Sequence, residues 1–298
     1  MKRYNETAMS QGIHARGRIG LLAAGVLLCA AAVLAQRGRG GFGGGGFGGN
    51  DFGRGESFVP DFPKEGDFHF IRTEYVDLPG YGRGFNRFVS RTGRASGWWA
   101  QDWPDADNHF SFGLQRLTRL QIGEPRHLSL TDERLFDYPW IYATQVGYWD
   151  LSNAEILKLR EYLNRGGFLM VDDFWGQNGN GEWEVFQDTM ERVLPGHPIT
   201  TIRMTDSVMH VLYDIEQKDL TFIPGTRHLR GGRVYQPAGT TPQWDAINDD
   251  KDRMVVAVNF NTDIGDAWEY ADAPEYPADM TTLAYHYGIN YIMYAMTH

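Results

Sequence analysis

Between Gly166 and Gly176 the chain reads Gly-Gly-Phe-Leu-Met-Val-Asp-Asp-Phe-Trp-Gly. The apolar run Phe168 to Val171 has no polar alternation, which describes a short strand covered on both faces. Just upstream, Ser152 and Glu155 form a capping box, Leu151 and Ile156 fit a hydrophobic staple, and Ile156, Leu159 and Leu163 make one apolar helical face. Trp140 to Val146, bounded by Pro139 and Gly147, is a strand before that helix. Strand, helix and strand in this order imply a right-handed parallel crossover. The fold expected is a single α/β domain with a doubly wound, mainly parallel sheet of Rossmann or flavodoxin-like type.

The remaining elements fit this plan. Phe68 to Val76 is a first strand, residues 79–104 a long Gly-, Arg- and Trp-rich loop, and Asp105 or Asp107 caps a helix containing Phe112, Leu114, Leu117 and Leu120. Arg126 to Leu130 is a short strand. Glu182 to Val193 is a helix with Trp183, Phe186 and Met190 inward, and Ile199 to Met204 is a candidate strand. Ser207 to Asp214 is ambiguous, and residues 216–245 are Gly- and Pro-rich with weak strands around Val234 and Trp244. Asn248 to Asp252 is a turn, Met254 to Phe260 a buried strand, and Thr281 to Met296 a closing helix.

The N-terminal part is of another kind. Lys2, Arg3, Arg16 and Arg18 precede an apolar run from Ile19 to Ala35 that ends in Val33-Leu34-Ala35. This is the pattern of a secretory signal over residues 1–35. An uncleaved anchor is the alternative, although the run is short of the roughly 20 residues of a full span. Residues 36–57 are a Gly-rich flexible linker, and residues 58–298 form the α/β domain. The single cysteine, Cys29, lies inside the signal, so a mature chain would have no thiol chemistry and no disulfide. Beyond residue 35, 24 basic residues stand against 37 acidic ones, a net charge of −13. That argues against nucleic acid as a partner, and against membrane contact unless the N-terminal segment is retained.

Carboxylates recur where strands end. Asp172 and Asp173 close the opening strand, and Asn261-Thr262-Asp263-Ile264-Gly265-Asp266-Ala267-Trp268 follows the strand ending at Phe260. Open α/β sheets bind ligands at the carboxyl ends of their strands. Ligand-binding candidates are therefore Asp172, Asp173, Trp175, Asp263, Asp266 and Trp268. The four aspartates are also candidate ligands for Mg²⁺ or Ca²⁺, which favour oxygen donors. The competing reading is structural: Asx-turns and helix caps. Trp103-Pro104-Asp105-Ala106-Asp107 is a third acidic loop, with one aspartate for the cap and another free to face the crevice. No pair of histidines has zinc spacing, and Ser152 and Ser207 lack a nucleophile-elbow glycine pattern.

Several segments resemble the bacterial domain of unknown function 4159 family: Phe136-Asp137-Tyr138-Pro139, the Ser152–Gly167 helix end, Phe168 to Gly176, Asn261 to Trp268, Gly288-Ile289-Asn290-Tyr291 and Met296-Thr297-His298. The resemblance covers roughly residues 66–298. The arrangement is also similar to the class I glutamine amidotransferase-like superfamily and its trehalose-utilisation relatives. That likeness implies a doubly wound sheet with a catalytic cysteine after a central strand and a histidine after a later one. Here Asp172 and Asp173 stand in the cysteine region and Asp263 to Asp266 in the histidine region, so thiol amide hydrolysis is not expected. The function expected is an exported, periplasmic or secreted, binding or assembly module of the cell envelope. Its partner would be a small molecule, a glycan or an envelope protein. The alternative is a metal-dependent hydrolase of an envelope glycan or ester.

Overall fold

The computed structural model describes residues 60–79, 88–89, 95–176, 181–230 and 233–298. The expected signal over residues 1–35 and linker over residues 36–57 lie outside the described residues. Among the described residues no helix is long and apolar enough to cross a membrane.

The described residues fall within one compact unit. In chain order its main elements are β1 (Ile71–Glu74), α1 (Asp105–Leu117), β2 (Arg126–Ser129), β3 (Trp140–Thr144), α2 (Asn153–Asn164), β4 (Phe168–Phe174), α3 (Glu182–Val193), β5 (Thr200–Thr201), β6 (Gln243–Asn248), β7 (Met254–Phe260), α4 (Ile264–Glu269) and α5 (Ala278–Thr297). They build a seven-stranded sheet in the order β2-β1-β3-β4-β7-β6-β5. From β2 to β7 the strands are parallel, whereas β6 runs antiparallel to both β7 and β5. The sheet is thus mixed and mostly parallel.

Strand periodicity decides which helices cover which face. In β3, Trp140 and Tyr142 join one apolar cluster and Ile141 and Ala143 the other; in β4, Phe168 and Met170 oppose Leu169 and Val171 in the same way. The first face packs under Phe110 and Leu114 of α1, Ala267 and Trp268 of α4, and Leu283, Tyr287 and Tyr291 of α5. The second packs under Ile156, Leu159 and Leu163 of α2 and Phe186, Met190 and Val193 of α3. Helices therefore cover both faces of an α/β fold.

Local signals explain most boundaries. Ser152 Oγ accepts from Glu155 N and Glu155 Oε2 accepts from Ser152 N at 2.8 Å, so the capping box starts α2 as expected. Gly166, at φ 106°, supplies the left-handed residue just past its end. Other boundaries differ. α1 starts behind Pro104, with neither aspartate capping it through a side chain, and it stops before Leu120. The Ile199–Met204 strand shrinks to Thr200–Thr201 at the sheet edge. The stretch around Trp244 becomes the six-residue β6, because its partner β7 supplies hydrogen bonds that local propensity does not foretell. α5 begins at Ala278 and is buried over most of its circumference, beyond the stripe expected from Leu283, Tyr287, Tyr291 and Ala295. Asn290 explains part of this: its Oδ1 accepts from Tyr213 N at 2.9 Å and its Nδ2 donates to Tyr213 O at 2.8 Å, bringing that loop over the helix.

The charged residue at the heart of the sheet is Arg72 of β1, wholly buried. Its Nε lies 3.1 Å from both Asp107 carboxylate oxygens, and its Nη2 donates to Oδ2 at 2.5 Å. Nη1 donates to the Trp99 and Gln101 carbonyls at 3.1 and 2.8 Å, and the guanidinium lies 4.9 Å from the Tyr142 ring centroid. Burial pulls the Arg72 pKa down, and Asp107 more than offsets this, so the net shift is upward. The pair ties the chain before α1 to the middle of the sheet. Removing one partner of a buried pair strands the other charge. Asp107→Ala should therefore destabilise the fold by about 3–5 kcal/mol, measured as the urea midpoint; a loss below about 1 kcal/mol would refute the clamp.

Candidate functional site

The carboxyl ends of β1, β3, β4 and β7 converge. Asp102 lies on the connection leaving β1, Gln145 follows β3, Asp172 and Asp173 end β4, and Asn261 and Asp263 follow β7. One carboxylate oxygen from each of Asp102, Asp173 and Asp263 forms a group within 4.8 Å of one another, and all three residues are buried. A second group, under the same limit, joins Asp102 to Asp266 and Glu269. Asp266 and Glu269 are three apart on α4 and so share one side of that helix.

The backbone around this cluster is unusual. Asp102 (φ 63°), Gln145 (φ 54°), Asp173 (φ 50°) and Asn261 (φ 59°) all adopt the left-handed region. Each costs on the order of 1 kcal/mol or more for a residue with a Cβ, and such residues concentrate at functional sites. Among the described residues only one further non-glycine residue shares this conformation, Asp252 in the β6–β7 turn. Side chains hold the strained turns in place. Asn261 Oδ1 accepts from Gly176 N at 2.8 Å, and its Nδ2 donates to Gly176 O at 2.8 Å and Thr241 O at 3.1 Å. Asp173 accepts from Gln145 Nε2, and from Trp175 Nε1 at 2.5 Å.

Asp172 and Asp173 have separate tasks: Asp172 follows Met170 onto the α4 face, whereas the left-handed backbone at Asp173 breaks the strand's alternation, so that Phe174 rejoins the face of Val171. Asp172 Oδ2 accepts from Ile264 N at 2.8 Å and Gly265 N at 2.9 Å, so it bonds the first turn of α4 to β4. Asp263 caps the same helix through Asp266 N at 2.9 Å. Asp266 Oδ2 accepts from Thr226 N at 2.5 Å and Thr226 Oγ1 at 3.0 Å. Two glycines permit the approach. A Cβ on Gly225 would lie 2.3 Å from Asp263 Oδ2, and one on Gly265 would lie 2.8 Å from Asp102 Oδ2.

Asp173 also faces Arg227, whose Nη2 is 3.7 Å from its Oδ1 and whose guanidinium lies 4.6 Å from the Trp175 ring centroid. Arg227 Nε donates to His228 Nε2 at 3.3 Å, and burial, followed by the Arg227 charge, lowers the His228 pKa to about 4. Burial raises the Asp102 pKa well above the carboxylate range, reinforced by Asp266, Glu269 and Asp173. Burial raises Asp263 likewise, then Asp173, Asp266 and Asp102, and it raises Asp172, then Asp173. Asp173 rises to about 6: burial dominates, Arg227 opposes it and Asp266 adds to it. Among the described residues two buried carboxylate oxygens, Asp102 Oδ2 and Asp172 Oδ1, have no hydrogen-bond partner.

The residues singled out in the sequence thus divide. Asp173, Asp263, Asp266 and Trp175 come together around the crevice. Asp172 is wholly buried beneath it as a support for α4. Trp268 does not line it: it is wholly buried in the core against Phe70, Phe110 and Tyr142, because its place on the short helix α4 faces the sheet. Asp107, which the sequence left open as a cap or a crevice residue, is instead the partner of Arg72. Asp102, Gln145, Arg227 and Glu269 were not foreseen. Gln145 was within reach, since the residue after a parallel strand points at the ligand edge. Nothing local marks Arg227.

The family described as Domain of unknown function (DUF4159) has a sequence model that matches residues 89–296. The chain belongs to this family. The match takes in every element that delivers a crevice carboxylate of this DUF4159 protein and begins after β1, so Arg72 lies outside it. No curated protein matches the chain.

The raised carboxylates give a pH signature. The ordinary Asp pKa is near 3.9, and in the folded protein Asp173 titrates at about 6. The folded state then holds the proton more tightly than the unfolded chain. Stability from this group is full below about 4 and is lost as pH rises to about 6, on the order of 3 kcal/mol in total. Asp102 and Asp263 shift in the same direction. Asn caps a helix as well as Asp does. In chelator, Asp263→Asn should therefore raise Tm relative to the unsubstituted protein, by an amount that grows as pH increases from about 4 to 8. A Tm difference that stays flat or shrinks would contradict the shared burial of these charges.

Proposed function

We propose that the strand-end crevice binds a divalent cation, Mg²⁺ or Ca²⁺, through Asp102, Asp173 and Asp263. In this reading the protein is an exported binding or assembly module of the cell envelope that presents the ion to an oxygen-rich ligand. The observation that carries the reading is the convergence of three buried carboxylates within 4.8 Å, one of them with an oxygen that has no partner. Hard cations take carboxylate oxygens, and an ion removes both the mutual repulsion and the desolvation penalty. The left-handed aspartates at 102 and 173 add support, since backbone strain is retained where a geometry is needed.

The finer fold reading is a doubly wound sheet of flavodoxin or class I glutamine amidotransferase-like type. It is supported by helices on both faces and by β1 lying between β2 and β3, where the direction of strand progression reverses. In that frame aspartates occupy the region where amidotransferases keep a thiol, and the sole cysteine is Cys29. Export rests on the basic and apolar pattern of residues 1–35. The ligand would be a small molecule, a glycan or an envelope protein reached past Trp175 and the half-exposed Arg227.

A hydrolase reading draws on one further observation, the half-exposed Arg227 guanidinium 3.7 Å from Asp173 Oδ1, a fixed positive charge beside the crevice that can stabilise a developing oxyanion. In that reading Asp102, Asp173 and Asp263 would hold the ion, which would supply a polarised water for attack on a glycan or ester bond.

Isothermal titration of the full chain with Mg²⁺, Ca²⁺ and Mn²⁺ tests the proposal. Saturable binding is expected, with stabilisation of about 2.7 kcal/mol at a hundredfold excess over Kd, and it should be lost in Asp263→Asn and Asp102→Asn. No heat and no change of Tm with any of the three ions would reject the site. Cation-dependent cleavage of nitrophenyl esters or cell-wall glycan fragments, abolished by Asp173→Asn, would select the hydrolase reading.

A further inference from the structure

We propose that the crevice holds not one divalent cation but a pair, bridged by the Asp102 carboxylate. The inference rests on the cation reading above and extends it. The first ion lies among Asp102, Asp173 and Asp263, and the second among Asp102, Asp266 and Glu269. Both triads satisfy the same 4.8 Å limit, and Asp102 is common to them.

Asp102 keeps one buried carboxylate oxygen open for a bridge. It is 7 % exposed. Its Oδ1 accepts from Gln101 Nε2 at 2.6 Å, and its Oδ2, although buried, has no partner. Its left-handed backbone, with the Arg72–Asp107 clamp just beyond it, holds it between β4 and α4. The second triad reaches it from α4, where Asp266 and Glu269 project from one side of the helix. That helix is fixed at its start by Asp172 and Asp263. At its far end His109 Nδ1 lies 2.9 Å from Glu269 O and 3.1 Å from Trp268 O.

Charge points the same way. Asp102, Asp173, Asp263 and Asp266 bring up to four negative charges, and among the described residues the lysine or arginine ion-paired with them is Arg227, with one. A single divalent cation leaves this set negative before Glu269 is counted, and a second offsets the remainder. Carboxylate-bridged ion pairs about 3.5–4 Å apart stabilise both the attacking and the leaving oxygen in phosphoryl or acyl transfer to water. The ligand class fitted to such a pair is an oxyanion or ester oxygen that spans two hard cations.

Mn²⁺ serves as the probe. Titration of the full chain should give two Mn²⁺ per chain by calorimetry and by metal analysis of the desalted protein. At full loading the electron paramagnetic resonance spectrum should show two exchange-coupled ions. Glu269→Gln, at a half-exposed position, should lower the stoichiometry from two to one and remove the coupling while the remaining ion stays bound. Asp102→Asn should remove the coupling as well, and circular dichroism checks that both variants are folded. One uncoupled ion in the unsubstituted protein, unaffected by Glu269→Gln, overturns the pair and leaves the single-cation reading intact. Two ions without coupling also overturn the bridge. No bound ion at all rejects both readings together.

Discussion

A guanidinium inside a parallel sheet is the constraint from which much of this molecule follows. Arg72 cannot be left charged and alone in the core, because an unpaired buried ion costs several kcal/mol. The chain meets this demand with Asp107 from the first helix and two carbonyls from the loop before it. The loop is thereby pinned across the ends of the central strands, and Asp102 is carried into the crevice with it. The same interaction therefore settles a folding problem and places an acidic side chain in the crevice. The order of the strands does the rest. Four parallel strands end on one edge; β4 and β7 hand their last or next residues to the same small volume, and the loop before α1 brings Asp102 to it.

What the sequence disclosed and what it hid follow from the range of the interactions. α2 could be read to within a residue because its capping box, staple and terminal glycine are all local. β4 and β7 were legible because seven consecutive buried residues leave few alternatives. The carboxylates at 173, 263 and 266 were found from their position after such strands. Asp102 was hidden in a Gly- and Trp-rich stretch with no periodicity, and its placement depends on a partner of Arg72 that lies 35 residues away in sequence. Trp268 misled for a related reason. Its neighbours in sequence suggested a ligand edge, but a single turn of helix swings it into the core. Arg227 was invisible, since it reaches Asp173 from a segment with little regular structure.

Strain and repulsion at the crevice are two forms of one expense. Left-handed aspartates and closely grouped acids both lower stability, and the rest of the fold supports them with large apolar contacts on both sheet faces. Fully burying one side chain such as Phe168 or Ile292 contributes on the order of 1.5–3 kcal/mol. A few such residues are enough to carry a destabilised edge.

The chain positions of Asp102, Asp173 and Asp263 give the crevice one more property. They are separated by about 70 and about 90 residues, and they meet only once β1, β3, β4 and β7 are assembled in one sheet. An ion held among them is a cross-link between three distant parts of the polypeptide, closing long loops whose entropy it removes from the unfolded chain. In a polypeptide whose single cysteine is Cys29, the metal would take the part that disulfides play in many secreted proteins. It would be a staple that forms without oxidation and opens whenever the ion is withdrawn.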